Sequence, residues 1–182
     1  MRNIVYAINM TLDGCIDHTK FRPDPETFDY FTRLTREAGT FLYGRKTYQL
    51  MVPYWPDAAK DPTDEFAQAF VAVEKIVVFS RSLDKVEGKN TRLIRTNLEG
   101  EIHKLKQEEG KNIFTGGVDL ASQLAALGLI DEYHFVVLPI VVGEGRRLFE
   151  GINLQEKLQL KLVESKVFKS GAVVLRYLPA GR

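Results

Sequence analysis

Phe41-Leu42-Tyr43-Gly44-Arg45-Lys46-Thr47 and Asn112-Ile113-Phe114-Thr115-Gly116-Gly117-Val118-Asp119-Leu120 spell one kind of turn twice. In each, a short apolar run of strand type ends at glycine and gives way to an amphipathic helical pattern. A residue without a Cβ lets the backbone approach a ligand closely. N–H groups at a helix start, aided by the helix dipole, favour an anion there. Two such junctions in one small chain predict a pyrophosphate gripped from two sides, as in a dinucleotide. Arg45, Lys46 and Thr47 add the residue types that neutralise and hydrogen-bond phosphate oxygens. Glycine is also common at strand–helix junctions that bind nothing, so the doubling and the basic cluster carry this reading.

Outward from these turns, strand and helix patterns alternate. Ile4–Asn9 reads as a buried strand, followed by a polar loop from Thr11 to Arg22. Asp24-Pro25-Glu26 opens a helix, with Asp24 as N-cap and Pro25 at the first helical position. Its inner stripe is Phe28, Phe31, Leu34 and Thr35, and Gly39 ends it. Phe41–Tyr43 is the second strand, with a short helix from Arg45. Pro53, Pro56 and Pro62 mark a rim loop, and Thr63–Val73 a further helix capped by Thr63. Lys75–Ser80 is a strand, a weak one lies near Leu93-Ile94, and a helix runs from about Glu99 to Glu109. Asn112–Thr115 is a strand, Val118–Leu127 a helix, and Tyr133–Val142 a long strand interrupted at Pro139. Leu158–Phe168 and Ala172–Leu178 alternate around Lys169-Ser170-Gly171 as a hairpin. The pattern predicts an α/β fold with a mostly parallel central sheet, helices on both faces and an antiparallel C-terminal edge hairpin.

Composition sets the bounds. The 182 residues are most simply one domain spanning 1–182, with no repeat or linker. A formal net charge of +1 offers no general attraction to nucleic acid or acidic membranes. The lone Cys15 excludes an intramolecular disulfide, and His18, His103 and His134 are too scattered for a histidine metal site. No apolar run is long enough for a signal peptide or for the roughly 20 residues of a membrane span. The expectation is a soluble, cytoplasmic protein without a metal.

The standard dinucleotide fingerprint is absent, since Gly143-Glu144-Gly145 is followed by Leu148 where a third glycine belongs; an ATP-type P-loop is absent too. Ser80-Arg81-Ser82 follows the Lys75 strand directly. An arginine flanked by hydroxyls at a strand's carboxyl end suits a phosphate monoester such as the 2′-phosphate of NADP, although alone it reads equally as an exposed turn. Phe31, Tyr48, Met51, Tyr54 and Trp55 are candidates for a flat aromatic slot, the first and third doubling as core. Asp13, Glu26, Asp29 and Asp57 are the candidate acids, and spacing selects none of them. No G-x-S-x-G hydrolase elbow occurs.

Five segments, in order, resemble the dihydrofolate reductase superfamily, and more closely its riboflavin-biosynthesis reductase branch, the RibD C-terminal domain. They are Ile8-Asn9-Met10-Thr11-Leu12-Asp13-Gly14, Tyr43-Gly44-Arg45-Lys46-Thr47-Tyr48, Val77-Val78-Phe79-Ser80-Arg81, Thr115-Gly116-Gly117 and Leu138-Pro139-Ile140-Val141-Val142-Gly143-Glu144-Gly145. The resemblance implies an NADPH-dependent reductase of a small pyrimidine- or pteridine-like ring, with 5-amino-6-(5-phosphoribosylamino)uracil reduction the nearest named activity. It implies that Ala7 and Ile8 border the nicotinamide, while Gly44, Arg45, Lys46 and Thr47 meet the pyrophosphate and adenosine side. Ser80, Arg81 and Ser82 take the 2′-phosphate; Gly116, Gly117, Val118 and Leu120 close on the pyrophosphate. Phe31, Tyr48, Met51, Trp55 and Pro139 are the substrate candidates, with Asp13 and Asp29 the catalytic ones.

There are departures. The substrate carboxylate of dihydrofolate reductases falls near Thr27 or Phe28 here, with Glu26 and Asp29 only neighbours. The Met51-Val52-Pro53-Tyr54-Trp55-Pro56 stretch differs from the acidic Asp-Pro segment of the riboflavin enzymes, and the chain lacks their fused deaminase domain. Dihydrofolate reductase-type activity and a non-catalytic NADPH-binding module stay as alternatives. A homodimer through the edge hairpin at Val163–Val174 is compatible with either.

Overall fold

The computed structural model describes residues 1–88, 90–154 and 157–181. Eight strands form one sheet: β1 (Ile4–Thr11), β2 (Ala38–Gly44), β3 (Lys75–Phe79), β4 (Thr91–Ile94), β5 (Asn112–Thr115), β6 (Glu132–Leu138), β7 (Leu160–Val167) and β8 (Val173–Pro179). Their order is β4-β3-β2-β5-β1-β6-β8-β7. Every pairing from β4 to β6 is parallel, and β8 runs antiparallel to both β6 and β7. The expected α/β sheet with an antiparallel C-terminal hairpin is the observed one.

Alternation along each strand divides the apolar side chains between two cores, because successive residues point to opposite faces. Val5, Ala7, Phe41, Tyr43, Ile76, Val78 and Phe114 face one core; Ile4, Tyr6, Leu42, Val77 and Ile113 face the other. The first core is covered by α1 (Pro25–Arg36), α2 (Arg45–Met51) and α4 (Glu65–Val71), with α3 (Trp55–Ala58) beside them. The second is covered by α5 (Leu98–Gln107) and α6 (Asp119–Ala126). Buried on both faces, the inner strands read as nearly continuous apolar runs.

The start of α1 follows its sequence. Asp24 is extended, and its carboxylate accepts the Thr27 N–H at 3.1 Å and the Thr27 hydroxyl at 2.7 Å, with Pro25 at N1. Asp24→Ala is expected to lower the unfolding free energy by about 1 kcal/mol, read as a shift in urea midpoint at constant slope; an unmoved midpoint would make this cap dispensable.

Several boundaries differ from expectation. Gly39 lies inside β2, because α1 already ends at Arg36. A side chain there would press on Lys111 and the buried Arg2. Thr27, Tyr30, Leu34 and Thr35 of α1 are buried and Phe31 is half-buried against the core, whereas Phe28 is 40% exposed, so the expected inner stripe holds except at Phe28. Asp64, not Thr63, caps α4 by accepting the Ala67 N–H at 2.9 Å. The Pro-rich loop holds the short α3. β6 stops at Leu138, since Pro139 has no N–H for the ladder.

Candidate active site

The chain leaves β1 through α1 on one face to reach β2, and leaves β5 through α6 on the other face to reach β6. That reversal leaves a crevice at the carboxyl ends of the strands, the usual ligand position in open α/β sheets. A cleft of about 1690 Å³ occupies it, floored by Ala7, Gly44, Phe79, Ile94 and Phe114. This exceeds the roughly 300–1,000 Å³ of a drug-sized ligand site, leaving room for a dinucleotide and a second molecule.

The two glycine turns abut at its centre. Gly117 has φ +76°, and a Cβ there would overlap the Thr47 hydroxyl from the first turn. The Gly117 carbonyl accepts the hydroxyl of buried Tyr6 at 2.8 Å, and the Thr115 hydroxyl donates to the Leu42 carbonyl at 2.8 Å. Burial pushes the Tyr6 phenol well above its ordinary range, so it stays a donor. Gly116 sits above the Ala7 carbonyl, and Leu120 packs toward Gly44. The turns are thus one structural unit, joined across β2, β5 and β1. Arg45 and Lys46 are exposed at its mouth.

At the β3 end, the Ser80 hydroxyl accepts the N–H groups of Ser82 at 3.2 Å and Leu83 at 3.1 Å, fixing the turn that carries exposed Arg81. Arg95, just beyond β4, also lines this corner and donates to the Asp84 carbonyl at 2.8 Å. Every residue expected to meet a nucleotide, from Ala7 and Ile8 through Ser82 to Val118 and Leu120, lines this one cleft.

The expected substrate residues divide. Phe31, Met51 and Trp55 line the cleft. Tyr48 is a correction: it turns into the core and its hydroxyl accepts the Glu87 N–H at 2.7 Å, since it lies on the sheet side of α2. Pro139 is another, being exposed against the hairpin turn at Gly171 and absent from the lining.

Both expected acids also lie off the lining. Asp29 points outward from α1. Asp13 ties loops together. Its carboxylate takes the Thr11 hydroxyl at 2.5 Å, the Gly143 N–H at 2.9 Å, the Val142 N–H at 3.3 Å and the Arg147 guanidinium at 2.6 Å. The Thr11 bond first, then the Arg147 bond, holds its pKa far below the usual carboxylate range. A carboxylate so held keeps its charge in neutral water and donates no proton.

Sequence reasoning passed over Arg95 and Arg146. Arg146 lines the cleft and pairs at 2.5 Å with Asp119, the first residue of α6, which lowers the Asp119 pKa. Its carbonyl accepts the Ile16 N–H at 3.0 Å, so this loop also braces the segment after β1. The available signal was the basic pair directly after the Gly143-Glu144-Gly145 turn.

Comparison with known proteins agrees with this architecture. YyaP of Bacillus subtilis, an uncharacterized protein, is 33% identical over 180 residues, covering 97% of this chain and 94% of its own. A crystal structure from Shewanella sp. PV-4, provisionally assigned to riboflavin biosynthesis, superposes with TM-score 0.75 at 23% identity over 98% of this chain and 99% of that one. The diaminohydroxyphosphoribosylaminopyrimidine deaminase/5-amino-6-(5-phosphoribosylamino)uracil reductase of Thermotoga maritima superposes with TM-score 0.71 at 16% identity, over 98% of this chain and 57% of that one. Residues 2–174 match the RibD C-terminal domain, and the chain belongs to that family.

Proposed function

We propose that this protein is an NADPH-dependent reductase of a small planar heterocycle, the nearest named activity being reduction of 5-amino-6-(5-phosphoribosylamino)uracil. The observation that carries the reading is the packing of Thr47 against Gly117, which joins two strand-ended glycine turns into one anion-facing unit in a cleft large enough for cofactor and substrate. Gly44, Gly116 and Gly117 allow close backbone approach to a pyrophosphate, with Arg45, Lys46 and Thr47 supplying charge and a hydroxyl. Arg81, with Arg95 beside it, faces a ribose phosphate. Ala7 and Ile8 form the floor against which a nicotinamide ring lies. When bound, the nicotinamide supplies a hydride from C4. The protein orients the rings and excludes water, and solvent water is the proton source, since Asp13 is tied up as a carboxylate and Asp29 lies outside the cleft.

Titration with NADPH and NADH, read by fluorescence of Trp55 and of the cofactor, tests this. Micromolar NADPH affinity with clear preference over NADH is expected. Arg81→Ala is expected to weaken NADPH by about tenfold or more, the worth of a charge-assisted contact of about 1.5–3 kcal/mol, while leaving NADH nearly unchanged. Equal loss for both nucleotides would remove Arg81 from that role, and binding of neither would reduce the proposal to a shared fold.

For assembly, we propose a cytoplasmic homodimer through β7. This edge strand leaves Leu162, Val163 and Val167 at 47%, 40% and 71% exposure, the kind of open edge that invites strand pairing. A monomer by sedimentation at working concentration would refute it. Among the described residues no helix is long and apolar enough to cross a membrane.

A further inference from the structure

Arg146 lies outside both glycine turns, in the loop after β6, yet it reaches the same cleft. Resting on the reading that a dinucleotide fills this cleft, we infer that Arg146 is a further ligand of its pyrophosphate. The Asp119 carboxylate holds the phosphate's place on that guanidinium until the nucleotide displaces it.

Arg146 and Asp119 line the cleft together with Thr47, Gly116 and Gly117. Their side chains meet at 2.5 Å while staying 38% and 53% exposed, so a ligand can reach both. A guanidinium has five N–H donors in a planar fork that matches phosphate oxygens. Among the described residues, Asp119 is the one hydrogen-bond partner of that fork. The other donors are left for a ligand.

Asp119 is also surrounded by cations. The Arg146 hydrogen bond outweighs the cost of desolvation, and with the charges of Arg146, Lys46 and Arg45 it holds the Asp119 pKa below the ordinary carboxylate range. All three cations line the cleft, Arg45 and Lys46 from the first glycine turn and Arg146 from the loop after β6. Glu150, another acid acting on Arg146, accepts the Arg147 N–H at 3.1 Å and lies off the lining. Three cations around one carboxylate leave an excess of two positive charges, and a pyrophosphate diester carries two negative ones. A carboxylate held among these cations competes with any phosphate that approaches them.

The backbone beneath Arg146 is anchored, so exchanging partners asks only the side chain to move. Its carbonyl accepts the Ile16 N–H at 3.0 Å, and the Leu148 N–H donates to the Gly14 carbonyl at 2.9 Å. Gly145, at φ +90°, packs so closely on Cys15 that a Cβ would stand 2.8 Å from its sulfur. Support of this kind keeps the guanidinium at the mouth of the site.

The test titrates the intact protein with NADPH, read by cofactor fluorescence, and separately with inorganic pyrophosphate, read by calorimetry. Asp119→Asn keeps the shape and removes the charge. It is expected to bind both ligands about fivefold more tightly, because no ion pair has to break and no carboxylate repels the phosphate. Arg146→Ala is expected to bind both about tenfold more weakly. In the double variant the gain from Asp119→Asn is expected to shrink, since the competition runs through Arg146. Urea midpoints check that each variant is folded, and Asp119→Ser replaces Asp119→Asn if that one is not. A pair that only braced the loop would give Asp119→Asn the opposite sign. Loss of affinity in both single variants would therefore overturn the inference. NADPH binding that neither substitution moves would overturn it too, while leaving the dinucleotide reading intact. Pyrophosphate binding tightened by Asp119→Asn, with no NADPH binding, would instead sink the dinucleotide reading and preserve this one. Binding of neither ligand by any variant would overturn both.

Discussion

Gly117→Ala is expected to raise the NADPH dissociation constant by at least about tenfold and to destabilise the fold. The backbone at Gly117 has φ +76°, a region that costs a non-glycine residue about 1–3 kcal/mol. A methyl group there also overlaps the Thr47 hydroxyl, so relief requires the two glycine turns to part. Parting them moves the Gly117 carbonyl off the Tyr6 hydroxyl and leaves a buried phenol short of its acceptor. Gly151→Ala is the control. It has a similar φ of +73° with open space around its would-be Cβ, so it carries the backbone cost without the collision. Nucleotide titration and urea denaturation of both variants separate the two effects. If Gly117→Ala binds NADPH as tightly as Gly151→Ala does, the contact between the turns is not what shapes the site.

The second large effect concerns stability and pH. Glu132 on β6 accepts from the Arg176 Nε at 2.5 Å and meets the His134 Nε2 at 2.6 Å, while His134 Nδ1 meets the Tyr30 hydroxyl at 2.5 Å. Burial pushes the Tyr30 phenol up to about 12, so it donates; His134 then accepts at Nδ1 and donates from Nε2 to Glu132. The chain of bonds ties α1 to β6 and β8. The His134 bond first, with Arg176 also favouring the anion, brings the Glu132 carboxyl down to about 2. Its pKa in the unfolded chain is about 4.3, so its contribution is complete above that value and disappears as the pH falls toward 2. Glu132→Ala leaves the buried His134 Nε2 without its acceptor, while Arg176 keeps Glu164 at 3.5 Å, and is expected to cost about 1–3 kcal/mol at pH 7. Glu132→Gln, which keeps the shape, is expected to be less stable at pH 7 and to lose less stability between pH 5 and 3 than the unaltered protein. Urea midpoints at pH 7, 5 and 3 measure this. Parallel pH profiles for the two proteins would show that Glu132 does not carry the dependence.

The sheet was legible in the chain because its signals are local. Alternating or continuous apolar runs, Asp24-Pro25 at a helix start and a Ser-Gly turn between β-forming stretches act over a few residues. The two glycine turns were legible for the same reason, since the absence of a Cβ at Gly44, Gly116 and Gly117 is a property of the residue itself. Helix faces were less so. Phe28 and Phe31 fit an inner stripe by spacing, but spacing does not say whether the neighbour is the sheet or a cleft.

The sequence alone determined an α/β chain with two glycine turns at strand ends, because short-range pattern and residue chemistry carry that information, and five segments in order supplied its resemblance to the RibD C-terminal domain. Only the tertiary structure decided which residues meet. It set Thr47 against Gly117 and filled Tyr48 into the core; it bound Asp13 to Arg147 and brought Arg146 to the mouth of the cleft. Those meetings follow from β5 entering between β1 and β2 and from the return of the chain after β6. Contacts made across so many residues depend on strand order, which no local stretch of sequence encodes.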